Sequence, residues 1–124
     1  MGIPSDGQTR MLLALLMLMI LVMLAGATLT ILGMRARQVP LPVSGLHGVA
    51  GILLIVLLVI HDLHFPHNIP LNAAAVVLML TATGGLLLFG FRAGRQAVPG
   101  LVVSLHAGFA VVALTLMIVG YLRG

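Results

Sequence analysis

Four long apolar stretches, separated by short joints, constrain this chain more than any other feature of its sequence. Each stretch has about 18 residues or more, the length that a helix rising about 1.5 Å per residue needs to cross a hydrocarbon core about 30 Å thick. The sequence therefore predicts an all-α fold, an integral membrane four-helix bundle that forms a single transmembrane domain over residues 1–124. The expected helices lie at about 11–33, 43–63, 71–92 and 98–122.

Composition supports the same fold class and narrows the chemistry. Of the 124 residues, 61% are hydrophobic and 6% are charged, which is far from the balance of a soluble domain. The chain has no cysteine, and this excludes disulfides, thiolate metal sites, iron–sulfur clusters and covalently attached haem. Any cofactor must be held by histidine side chains or by shape.

The positive charge of the chain follows the joints between the apolar stretches. All six basic residues are arginines that stand at the ends of these stretches, so topology explains the net charge of +4 and we expect no nucleic-acid partner. The first and third joints hold two arginines each and the second joint holds none, which predicts a multi-pass protein of a bacterial-type inner membrane with both termini outside the cytoplasm. The joint arginines are Arg35, Arg37, Arg92 and Arg95.

An internal duplication relates the two halves of the chain. The segments 33–40 and 90–99 align with a two-residue insertion in the second copy, and the match continues without a gap to a Leu-His pair. In both copies a proline precedes the histidine by seven residues: Pro40 precedes His47, and Pro99 precedes His106. The chain is thus predicted to consist of two repeated helical hairpins, whose second helices run in the same direction and carry these histidines at the same depth.

A histidine within a membrane helix needs partners for its ring nitrogens and is a candidate functional residue. Two neutral imidazoles facing each other from His47 and His106 could supply both axial ligands of a haem iron. Small residues accompany both histidines, among them Gly51 and Gly108, and would leave a slot for a flat ring. The same small residues could instead serve close helix packing without any cofactor.

The arginines of the first and third joints are expected at the membrane level of these histidines. Guanidinium groups there could pair with the propionates of a haem, which gives Arg35, Arg37, Arg92 and Arg95 a second possible role beside that of setting topology.

His61 lies fourteen residues after His47, on nearly the same helix face and about 21 Å further along the axis. It is a possible ligand of a second metal site. The equivalent position in the second hairpin is Gly120, so one haem per chain is favoured unless His61 finds a partner in another subunit.

Together with Asp62, His64 and His67, His61 could also bind Zn or Cu or relay protons, although a solvated outer loop is the expected state of this segment.

The Leu-His-Gly sequence at 46–48, the later His61 and the Leu-His-Ala-Gly sequence at 105–108 resemble transmembrane cytochromes b. These are four-helix haem proteins that include ascorbate-reducible cytochromes and the membrane anchors of formate dehydrogenases and hydrogenases. The resemblance implies that His47 and His106 are the axial pair of one haem b, which exchanges electrons with quinone or a protein partner.

Two functions from different classes are therefore expected. The first is a b-type cytochrome subunit that transfers electrons inside a larger respiratory or oxidative membrane complex and does not catalyse a reaction alone. The alternative is a cofactor-free accessory subunit that stabilises such a complex, in which the two histidines form hydrogen bonds within the bundle.

Overall fold

The computed structural model describes residues 5–35 and 39–123, and within these ranges the chain is α-helical without any strand. The prediction of an all-α, four-helix fold is confirmed. The helices are α1 (Asp6–Met34), α2 (Leu41–His64), α3 (Ile69–Ala93) and α4 (Gly100–Arg123).

Capping residues explain why two helices begin earlier than hydrophobicity alone predicts. α1 begins five residues before the expected start, because the Ser5 side chain accepts a hydrogen bond from the Gln8 backbone N–H at 3.3 Å. α3 begins at Ile69 because the Asn68 side chain caps it, accepting from the Leu71 N–H at 3.3 Å. Polar caps thus add turns that lie outside the apolar stretches.

The four helices pack as a ring in which each contacts its two neighbours. α1 contacts α2 and α4, and α3 contacts α2 and α4, so α2 and α4 lie across the diagonal of the bundle. Because the joints are short, successive helices run antiparallel. The first end of the bundle therefore contains the C-terminus of α1 and the N-terminus of α2, and the second end contains the joint at 65–68.

The outer surface of the bundle is apolar along all four helices. Each helix is long and apolar enough to cross a membrane. Large hydrophobic side chains are more than half exposed on every helix, as they are at Leu21, Leu46, Leu86 and Leu101. These features indicate a multi-pass membrane protein whose surroundings are a lipid bilayer.

The tightly packed hydrophobic core occupies only the half of the bundle near its second end. Its members come from the N-terminal halves of α1 and α3 and the C-terminal halves of α2 and α4, and they include Met19, Leu54, Leu58, Leu71 and Met117. In the other half the buried residues of the described chain are Leu29, Ser44 and Thr81. The interior near the first end is therefore much less filled by aliphatic side chains.

A close approach between α4 and the start of α3 completes this core. A Cβ atom at Gly120 would lie 2.6 Å from Cγ of Leu71 and 3.1 Å from Oδ1 of Asn68. The Asn68 side-chain amide also donates a hydrogen bond to the Gly120 carbonyl at 2.9 Å. Gly120 is thus required by packing, because no larger residue fits without moving Leu71.

We predict that Gly120→Ala lowers the free energy of unfolding of the detergent-solubilised protein by about 1–3 kcal/mol, the cost of overpacking. The matched control is Gly108→Ala on the same helix, where a Cβ meets no atom within 4 Å. Because alanine favours a helix over glycine by about 0.5–1 kcal/mol, the control is expected to be slightly stabilising. Thermal unfolding followed by circular dichroism measures both, and equal effects at the two positions would contradict this packing.

Candidate functional site

The site is built around two histidines on the diagonal helices. His47 and His106 each lie six residues after the first residue of their helix, α2 or α4, and thus about 9 Å inside the first end of the bundle. Their ring centres are 6.3 Å apart, and the ring planes cross at 76°. The structure therefore brings together the two histidines that the sequence singles out, in the half of the bundle that lacks the aliphatic core.

Each histidine ring lies against a glycine of the preceding helix. A Cβ atom at Gly26 of α1 would approach Cε1 of His47 to 3.0 Å and Nε2 to 3.4 Å. A Cβ atom at Gly85 of α3 would approach Cε1 of His106 to 3.1 Å. In both hairpins the glycine precedes the histidine by 21 residues. The two glycines leave the space that the imidazoles occupy between neighbouring helices.

The hydrogen bonds of the two rings differ. The Nδ1–H of His106 donates to the Thr81 carbonyl of α3 at 2.8 Å, which leaves the lone pair on Nε2. The Nδ1 atom of His47 is buried and has no hydrogen-bond partner among the described residues. His106 is thus held in one tautomer and orientation, whereas no hydrogen bond of Nδ1 fixes the ring of His47.

The spacing of these rings would accommodate a haem iron. Two imidazoles that each direct a nitrogen at one metal ion, with metal–nitrogen bonds of about 2.0 Å, would have their ring centres at about this separation. In this structure Nε2 of His47 lies beside Gly26 of α1. Metal-bound histidines also commonly donate their other N–H to a carbonyl, as His106 does to Thr81. The buried, unpaired Nδ1 of His47 fits less well, because it has no such second partner.

One of the arginines proposed from the sequence lies close to the pair. Nη1 of Arg92 donates a hydrogen bond at 2.6 Å to Oγ of Ser44, a buried residue three positions before His47. Arg35 and Arg95 are exposed, and Arg95 has a φ of 53° just after the end of α3. Arg37 lies outside the described residues. The structure therefore brings only Arg92, among the described arginines, into the bundle near the histidine level.

The two glycines predicted to flank a cofactor slot lie elsewhere. A Cβ at Gly108 would meet nothing within 4 Å, because this residue faces out of the bundle. Gly51 faces Val22 of α1 at 4.0 Å rather than either histidine. Gly26 and Gly85, rather than these two, lie against the histidine rings. The signal that could have found them is the repeated spacing of 21 residues to each histidine.

The structure does not bring a second histidine to His61. Its side chain is enclosed, with the residue 1% exposed, and the equivalent position on α4 is Gly120 in close packing with Leu71. Because the His61 side chain is enclosed, a ligand from another subunit cannot contact it. His64 is exposed and directs Nδ1 to the Ile60 carbonyl at 2.8 Å. Across residues 5–35 and 39–123, no group of three or more potential ligands is arranged to hold a metal ion.

Comparison of the chain with protein-family models, with curated proteins and with solved structures finds no match.

We predict that Gly85→Val displaces the imidazole of His106, because the added side chain begins 3.1 Å from Cε1. The hydrogen bond from Nδ1 to Thr81 should then weaken, which ¹⁵N NMR of histidine-labelled protein detects as a changed tautomer signal. Gly90→Val on the same helix is the control, since a Cβ there meets nothing within 4 Å. An unchanged His106 signal in Gly85→Val would show that this glycine does not position the ring.

Proposed function

We propose that this chain is a membrane-bound b-type cytochrome that holds one haem between α2 and α4 and transfers electrons. The observation that carries the proposal is the pair of imidazoles, His47 and His106, which come from diagonal helices and have ring centres 6.3 Å apart. Their position in the half of the bundle without an aliphatic core supports it further. The proposal also agrees with an origin of the chain in two repeated hairpins, each of which contributes one glycine and one histidine.

In this proposal each residue of the site has a physical role. His47 and His106 would hold the haem iron, and bound haem would supply a one-electron couple. The Thr81 carbonyl holds His106 with its proton on Nδ1, so that Nε2 is the basic atom. Gly26 and Gly85 leave the space that the two rings occupy. The guanidinium of Arg92, which Ser44 holds, is the cation available to a haem propionate.

The electron partner is proposed to be another membrane subunit or a membrane-soluble quinone. The described joints at 65–68 and 94–99 are short, so they offer little surface to a soluble protein. An electron-transfer subunit of a larger respiratory or oxidative complex fits this shape, and catalysis is assigned to that complex rather than to this chain alone.

A second function, that of a cofactor-free accessory subunit, is favoured by one observation. The two imidazoles meet in a T-shaped, edge-on arrangement, which is a stable contact between rings at this distance without any metal. In that case the contact between the two histidine rings would stabilise the packing of α2 and α4, and the apolar outer faces would pack against a larger membrane complex.

Histidine substitutions separate the two functions. We predict that His47→Ala or His106→Ala abolishes haem retention, whereas His61→Ala and the control His64→Ala each keep about one haem per chain, because only the first two histidines would hold the haem iron. Haem is measured per polypeptide by pyridine haemochrome after expression with haem supplied and purification in detergent. Retention of haem by the double variant His47→Ala/His106→Ala would refute the assignment, and a haem-free, folded wild type would favour the accessory subunit.

The orientation in the membrane is a separate proposal that rests on the arginines. Arg35, Arg92 and Arg95 lie at the first end of the bundle, which we assign to the cytoplasm, so the proposed haem lies near that face. Because the chain has no cysteine, single-cysteine variants report orientation directly. We expect a membrane-impermeant maleimide to label exposed His67→Cys in intact cells and to label Gln96→Cys only after permeabilisation. The reverse pattern would invert the assignment.

A further inference from the structure

A second buried polar pair lies at the opposite end of the bundle from the histidine site. His61 is 1% exposed, and its Nδ1 atom lies 3.3 Å from Oδ1 of Asp62. The far atoms of both side chains, Nε2 of His61 and Oδ2 of Asp62, are buried and have no hydrogen-bond partner among the described residues. Neither packing nor the proposed cytochrome function explains why an imidazole and a carboxyl group should stand together here.

The surroundings of the pair provide no compensating charge. The other titratable or charged side chains at this end are Asp6, Arg10, His64, His67, Tyr121 and Arg123. Among the described residues none of the cations in this set forms an ion pair with Asp62, whose one ionic contact is with His61. An isolated carboxylate at this position, with one oxygen unpaired, would be costly in an apolar interior.

A proton shared by the two side chains removes this cost. With one proton beyond the Nε2–H of a neutral imidazole, the pair is either imidazole with a neutral carboxylic acid or imidazolium with carboxylate, and its net charge is zero in both cases. Without that proton the pair carries a full negative charge.

The two side chains differ in their exposure to water, and this difference indicates where a proton enters the pair. The His61 side chain is 0% exposed and the Asp62 side chain is 11% exposed. The ring centre of Phe65 lies 4.9 Å from that of His61. The core residue Leu58 lies one helical turn before His61. A proton therefore reaches the pair at the Asp62 carboxyl group and passes to Nδ1 of His61 across the 3.3 Å contact.

We propose that His61 and Asp62 form a proton-binding site that takes up and releases one proton at the face of the 65–68 joint. The ligand is H⁺ from the aqueous phase, and the two side chains bind it as one unit. This site stands independently of whether His47 and His106 hold a haem, because it shares no residue with them and lies at the other end of the bundle.

The experiment uses the full chain in lipid bilayers, labelled with ¹⁵N-histidine and ¹³C-aspartate, and follows both side chains by NMR between about pH 4 and pH 10, a range that spans the ordinary titrations of the two groups. The chemical shifts of the Asp62 carboxyl carbon and of the His61 ring nitrogens are expected to change with pH and to share one midpoint pH. Separate midpoints, or His61 ring signals that do not respond when the Asp62 carboxyl group ionises, would overturn the proposal. The wild-type protein therefore tests the site without any substitution.

A pair of variants tests the coupling. In Asp62→Asn the carboxyl group that shares the proton is lost, so the pH-dependent change of the His61 ring-nitrogen signals should no longer follow the wild-type curve. The matched control is Asp6→Asn, an exposed aspartate at the same end of the bundle, which should leave the His61 titration unchanged. An identical His61 titration in wild type and Asp62→Asn would show that the two side chains do not share a proton, and would overturn the proposal.

Discussion

Imidazole groups inside an apolar helix bundle are costly where their ring nitrogens lack hydrogen bonds, and this constraint governs the arrangement of the chain. An unpaired polar group in hydrocarbon costs several kcal/mol, so three interior histidines are costly unless each has a partner. His106 donates to the Thr81 carbonyl and meets the ring of His47, while His61 contacts Asp62. The histidine pair and the His–Asp pair lie at opposite ends, with the aliphatic core next to the second one.

The uneven core follows from this division. Leucines, alanines and methionines fill the half of the bundle near the 65–68 joint, where Gly120 allows α4 to pack closely on Leu71. The half near the first end contains His47 and His106, with glycines against their rings in place of branched side chains. One half of the bundle thus supplies close packing, and the other contains the histidine pair and its polar neighbours.

The sequence predicted the four helices well because each has an unbroken apolar stretch of spanning length, a signal that tertiary packing does not change. The helix ends were less well predicted, because Ser5 and Asn68 add capped turns beyond the apolar residues. Of the site, the meeting of His47 and His106 followed from the equal spacing of each histidine from the proline before it, seven residues in both cases. The glycine contacts did not follow, because they depend on how each helix is rotated: Gly108 faces outward while Gly85 faces the ring of His106. The hydrogen bond between Arg92 and Ser44 links two helices, and nothing in the sequence indicates that these two residues form a pair.

The most direct measurement of the central claim is the visible spectrum of the purified wild-type chain, oxidised and dithionite-reduced, before and after carbon monoxide is added. If His47 and His106 both bind one iron, reduction should give sharp α and Soret bands. Carbon monoxide should leave these bands unchanged, because a six-coordinate iron has no open position. A spectrum without haem bands from folded, haem-supplied protein would contradict the account, and so would reduced bands that shift on addition of carbon monoxide.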